Sequence, residues 1–188
     1  MEIYTEKGRY LPGEDIALTI SYSGAAEHFR ISVFRMDACI QVIEVPRTGE
    51  RTHVAVSPMA DDFCGLGVLF EADNGETASC AVDIQKDLYV FRYGFLSDFS
   101  RAETNELDVL AMAKHHVNAV QFYDWSYRHD SLVAEFDDYT DMMGKPNSLE
   151  VIRRKIAACH ERGMHTLGYG AVYAASEAFA AQHPEWRL

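Results

Sequence analysis

The sequence predicts a chain of two parts: an immunoglobulin-like β-sandwich over residues 1–86, then the first three βα units of a (β/α)8 barrel over residues 87–188. Three observations carry this reading. Apolar residues recur with period two through the first part, the mark of half-buried strands. In the second part, continuous apolar runs alternate with helical patterns, as in a parallel α/β sheet. Each of those runs ends in polar and aromatic side chains, at the strand end where barrel enzymes carry their chemistry.

In the first part, "DIALTISY" places Ile16, Leu18, Ile20 and Tyr22 on one face, and "HFRISVF" does the same with Phe29, Ile31 and Val33. Val54 and Val56, then Leu66, Val68, Phe70 and Ala72, then Ala78, Cys80, Val82 and Ile84 continue the pattern. Turn signals separate the runs: Pro12-Gly13, Ser23-Gly24, Thr48-Gly49 and Asn74-Gly75, the last a strong hairpin signal. About seven such strands in so short a stretch suggest the sandwich.

In the second part, residues 88–99 form a dense apolar and aromatic run that ends at Ser97 and Asp98. A helix is expected over 101–115, with Ser100 and Glu103 as a capping box and Leu107, Leu110 and Ala111 on its inner face. The second strand is "VNAVQF", followed by a long acidic loop, "AEFDDYTDMMGKPNS". A helix over about 149–162 follows, capped by Asn147 or Ser148, with Ile152, Ile156 and Cys159 on its apolar face and Gly163 as its stop. "MHTLGYGAVY" is the third strand, and an Ala-rich helix then runs to about His183, before Pro184. A full barrel takes about 250 residues. Three units therefore imply a fragment of a longer enzyme, whose open sheet edge would seek the missing half or a second copy.

Composition narrows the function classes. The chain is 48% hydrophobic and 24% charged, which suits a folded globular protein. Its net charge of −12 argues against nucleic acid and anionic membrane as partners. No run reaches the roughly 18–20 apolar residues of a membrane span. "MEIYTEKGRY" is no signal peptide, which implies a cytoplasmic protein unless a leader has been removed. Cys39, Cys64, Cys80 and Cys159 show no zinc-ligand spacing; a pair among the first three could bridge in an exported protein, but free and mostly buried thiols are expected.

The chemistry concentrates after the second strand, where Tyr123, Asp124, Trp125, Tyr127, Arg128 and His129 crowd together. A plain loop would use Gly, Pro, Asn and Ser there. Aromatic rings beside carboxylate, guanidinium and imidazole groups suit a polar ring-shaped ligand. The bland alternative is that the aromatics pack beneath the acidic loop and that Arg128 pairs with Asp124 or Asp130. Asp98 and Asp124 follow adjacent strands, about 4.8 Å apart, which could also mimic a catalytic pair. Tyr169 and Tyr173, after the third strand, are candidates for the same rim. "HERGMH" spaces its histidines five apart with Gly163 between them, unlike the zinc motif H-E-x-x-H. The four carboxylates of "EFDDYTDMM" could bind calcium, but the segment lacks EF-hand spacing and reads as a solvated loop over the rim, and no metal or cofactor is expected. His115 and His116 fall at a helix end, where the dipole favours a cation.

The strings "RYGFLSDF", "HHVNAVQFYDWSYRHD", "DMMGKPNSLEVI" and "GYGAVYAASEAF", in that order, resemble glycoside hydrolase family 66. "GRYLPGEDIALTI" is similar to the start of that family's immunoglobulin-like domain. The family holds dextranases and cycloisomaltooligosaccharide glucanotransferases. The resemblance implies a retaining endo-hydrolase or transglycosylase of α-1,6-glucan, using an Asp nucleophile and a Glu acid/base. It also implies that this pair lies on later strands. No catalytic residue is therefore expected within these residues, and Asp98, Tyr123, Asp124, Trp125, Tyr127, Arg128, His129 and Tyr169 are the expected glucan-binding set.

Overall fold

The computed structural model describes residues 1–171 and 175–186. It is mostly β-sheet with few helices, and the chain divides into two compact units. The first holds Met1–Arg92, Leu110–Asn118 and Glu161–Met164, and the second holds Tyr93–Val109, Ala119–His160 and His165–Leu188.

The first unit contains, in chain order, β1 (Glu2–Thr5), β2 (Ile16–Ser21), β3 (His28–Arg35), β4 (Ala38–Pro46), β5 (Arg51–Val56), β6 (Cys64–Ala72) and β7 (Thr77–Ile84). They form two antiparallel sheets, ordered β1-β2-β5 and β4-β3-β6-β7. Their alternating residues meet in one core that joins Ile16, Leu18 and Ile20 to Phe29, Ile31, Leu66, Val68 and Phe70. Phe70 and Phe29 lie 4.9 Å apart by ring centroid, and Tyr22 meets Phe29 edge-on at 5.4 Å. The period-two pattern weakens where a strand ends a sheet: Ala78 and Cys80 on β7 are half-buried, and Ile40 and Val42 on β4 stay exposed. Asn74-Gly75 does turn the β6–β7 hairpin, with Gly75 at φ +87°. No disulfide joins the four cysteines; Cys64 and Cys159 are buried as expected, whereas Cys39 is exposed.

Residues 8–10 and 162–163 are tied together by backbone geometry. The Gly8 N–H donates to the Arg162 carbonyl at 3.0 Å, and Arg9 Nε donates to the Gly163 carbonyl at 3.2 Å. Gly163 sits at φ +69°, and a Cβ there would come within 2.4 Å of the Arg9 carbonyl oxygen. Gly163→Ala is therefore expected to destabilise by about 2–4 kcal/mol, the left-handed penalty plus a clash with backbone that cannot swing aside. Urea unfolding checks this, and a cost below about 1 kcal/mol would show that the contact yields in solution.

In the second unit, β8 (Tyr93–Leu96) leads to α1 (Leu107–Lys114), β9 (Ala119–Phe122), β10 (Asp138–Thr140), β11 (Pro146–Ser148), α2 (Leu149–Glu161), β12 (His165–Gly168) and α3 (Glu177–Gln182). The unit boundary falls within α1, after Val109. β8, β9 and β12 form an open parallel sheet with β9 central, and no closed barrel is present among the described residues. The central strand is buried on both faces at Ala119, Val120 and Phe122. The outer strands are not: Phe95 is 60% exposed and Leu167 41%.

Several expectations need correction. The first helix begins at Leu107, not residue 101, and Ser100 and Glu103 form a turn through the Glu103 N–H and the Ser100 carbonyl. Its buried residues are Val109 and Ala113, while Leu107 is 65% exposed and Ala111 is exposed. The buried stripe of α2 is Val151, Ile152, Lys155, Ala158 and Cys159, with Ile156 only half-buried. The acidic loop folds into the β10–β11 hairpin, because Gly144 takes φ +84° at its turn and Arg101 binds Asp137, Asp138 and Glu150 along its side. At His116, burial, then the nearby Arg92 charge, holds the pKa below the usual imidazole value, against the pull of the helix end. Gly163 does follow the end of α2, and Ser176 caps α3 by accepting from the Phe179 N–H. No helix among the described residues is long and apolar enough to cross a membrane.

Candidate functional site

β8, β9 and β12 run in register, so Leu96 and Gly168 both pair with Phe122. The segments leaving their carboxyl ends, 97–99, 123–129 and 169–171, therefore emerge side by side. In open parallel sheets, that is where ligands bind. A pocket of about 310 Å³ opens here, lined by Tyr123, Asp124, Ser126, His129, Asp141, Met142, Met143, Tyr169 and Ala171. It is at the small end of the range for small-molecule sites.

Four of the eight residues expected from the sequence line this pocket: Tyr123, Asp124, His129 and Tyr169. Tyr123 and Tyr169 come from different strands, and their rings meet at 4.7 Å. Asp124 takes φ +54°, a conformation that costs most L-residues about 1–2 kcal/mol. It is held there from behind, because Asn147 Nδ2 donates to the Asp124 carbonyl at 3.0 Å.

The other four stand outside the pocket lining. Trp125 turns its indole inward, donating from Nε1 to the Tyr169 carbonyl at 2.8 Å, with its ring against Gly168. Tyr127 meets Phe136 and Tyr139 edge-on at 5.5 and 5.9 Å, beneath the former acidic loop. Arg128 lies 4.0 Å from the centre of the Tyr127 ring and donates to the carbonyls of Tyr127 and Thr140, instead of pairing with Asp124 or Asp130. Asp98 is exposed and accepts from the Ser100 N–H, while its carbonyl is bound by Lys155. Tyr173 lies outside the described residues.

The hairpin supplies what the strand ends lack. Tyr139 and Asn147 are directly paired across β10–β11 and so share a face. From it the Tyr139 hydroxyl donates to the Trp125 carbonyl and Asn147 binds the carbonyl before it. Asp141, two residues beyond Tyr139, places its side chain at the pocket. Ser126, Asp141, Met142, Met143 and Ala171 were missed in the sequence. A signal existed for Asp141, since Asp with Gly three residues later (Gly144) is a type I turn pattern.

Burial raises the pKa of Tyr139 to about 12, helped by the charges of Asp141 and Asp137. Burial lifts Tyr10, in the first unit, to about 12 as well. Because both folded values exceed the ordinary phenol value, the stability they contribute is complete below about pH 10 and lost as pH rises through 12. Each is expected to contribute roughly 2–3 kcal/mol to that loss. Tyr139→Phe should flatten the wild-type decline between pH 10 and 12, as read by urea unfolding at several pH values. An unchanged slope would mean that Tyr139 is solvated.

The cleft thus gathers tyrosine rings, carboxylates and an imidazole at the ends of parallel strands. A model of glycosyl hydrolase family 66 matches residues 5–188, and the chain belongs to that family. Two cycloisomaltooligosaccharide glucanotransferases of Niallia circulans are 29% and 27% identical to it, each over 99% of this chain. The chain spans only 22% and 21% of their lengths. A crystal structure of a Paenibacillus sp. cycloisomaltooligosaccharide glucanotransferase complexed with cycloisomaltoheptaose superposes with a TM-score of 0.85, at 23% identity, over 97% of this chain and 29% of that one. The fold is thus that of part of such an enzyme.

Proposed function

We propose that this chain is the part of a family 66 enzyme that forms one side of its α-1,6-glucan site. In this reading the first unit is an immunoglobulin-like sandwich and β8, β9 and β12 begin a (β/α)8 barrel. Exposed Phe95 and Leu167 on the outer strands support their belonging to a larger sheet. The observation that carries the functional reading is the pocket itself: Tyr123 and Tyr169 for the sugar faces, Asp124 and His129 for hydroxyls. A neutral glucan also suits a chain of net charge −12.

The whole enzyme would break α-1,6 linkages with retention, through a covalent glycosyl intermediate on an Asp, with a Glu as acid/base. The chain described here would bind and orient the sugar, and the pair that does the chemistry would come from later strands. If water takes the glycosyl group the enzyme is a dextranase. If a hydroxyl of the same glucan takes it, the product is a cyclic isomaltooligosaccharide, and the names of the two Niallia circulans relatives favour that second outcome. Calorimetric titration of residues 1–188 with isomaltooligosaccharides, with reducing-sugar release followed in the same samples, tests the reading. Saturable binding without release is expected. Release would place the catalytic pair within this chain and promote Asp98 and Asp124, whereas absence of binding by folded protein would remove the glucan site.

A further inference from the structure

Asp141 is 6% exposed, yet it lines the pocket. Its Oδ1 is engaged by its own turn, accepting from the N–H groups of Met143 and Lys145, both at 2.8 Å. Its Oδ2 is buried and has no hydrogen-bond partner among the described residues. The adjacent lysine does not supply one, because the Lys145 ammonium donates to the Ser97 carbonyl. Arg128, also near the hairpin, is turned to the carbonyls of Tyr127 and Thr140. A buried carboxylate oxygen without a donor is costly, and native structures rarely leave one so.

We infer that Asp141 Oδ2 is a ligand-binding atom, the acceptor for a hydroxyl of the sugar held between Tyr123, Tyr169 and the hairpin turn. This rests on the glucan reading and adds to it a residue outside the strand ends. The chemistry selects a hydroxyl. A carboxyl oxygen with unused lone pairs takes an O–H donor. Among the described residues no three His, Cys, Asp or Glu side chains gather to hold a metal ion instead. The turn fixes the atom in advance: Oδ1 is locked by two backbone donors, Gly144 holds the left-handed corner at φ +84°, and the hairpin is bound to the Asp124–Trp125 backbone through Asn147 and Tyr139. Little side-chain entropy is then lost when the sugar arrives.

Asp141→Asn separates this role from a structural one. Asn keeps an oxygen for the two turn N–H groups but presents an NH2 group, a donor, where Oδ2 was. Titration with isomaltotriose is expected to show binding weakened roughly ten- to hundredfold, with the urea midpoint little changed. Should the Asn variant fail to fold, Asp141→Ser keeps a turn acceptor and removes the second oxygen, and the same loss is expected. Wild-type affinity in a folded variant would overturn the assignment and leave the glucan reading standing. Absence of binding by the wild-type chain would overturn both.

Discussion

Asp108→Ala is expected to destabilise the second unit by about 3–5 kcal/mol, because it strands a buried ammonium. Lys155 is fully buried on α2, and its Nζ donates to Asp108 Oδ2 at 2.6 Å and to the Asp98 carbonyl at 2.8 Å. Glu103 Oε2 lies at 3.7 Å, and the Phe99 ring centre at 5.9 Å. Without Asp108 the remaining partners offer one distant carboxylate and a neutral carbonyl. Lys155→Met is expected to cost less, since it removes the charge along with its partner and leaves an unbranched apolar chain among Val151, Ile152 and Cys159. Urea unfolding of both variants checks the order. If Lys155→Met proved the more damaging, the bonds of the ammonium to the Asp98 carbonyl and Glu103 would outweigh its pairing with Asp108.

Phe70→Ala is expected to cost the first unit about 3–5 kcal/mol. Phe70 has no exposed surface and pairs across the sheet with Ile31 on one side and Ala78 on the other. Its ring packs on Phe29 at 4.9 Å and on Tyr22 at 6.5 Å, in a close-packed core where losing the ring leaves a cavity. Circular dichroism against urea concentration reads the loss. A cost near 1 kcal/mol would mean that the two sheets close over the cavity.

The contrast between these two residues marks the limits of sequence reading. Phe70 was legible because a strand repeats every two residues, so Leu66, Val68, Phe70 and Ala72 name their own buried face. Lys155 was not, because its charge hid the true stripe of α2; the apolar reading rotated onto Ile156, which is half-buried. The same rule misplaced α1. Leu110 and Ala111 are apolar, but the side of the helix that is covered is the one bearing Val109 and Ala113. Periodicity says which residues can share a face, and only the neighbouring elements decide which face is covered.

The site divides in the same way. Local sequence already singled out the chain after β9: its aromatic and charged composition at the end of a buried strand named Tyr123, Asp124 and His129, and the likeness of the third strand end added Tyr169, all four of which line the pocket. Tertiary structure alone set which side chains of equal promise line the pocket. Trp125 and Tyr127 have the rings for sugar stacking, but the indole N–H finds the Tyr169 carbonyl and Tyr127 is boxed by Phe136 and Tyr139. Asp141 looked like one more solvated carboxylate. It became a pocket wall because Gly144 permits a left-handed corner and the hairpin face is bound to the strand end by Asn147 and Tyr139. Composition and period are properties of a segment. Which polar atom is left without a partner depends on residues far away in the chain, and that is settled only when the hairpin meets the ends of the parallel strands.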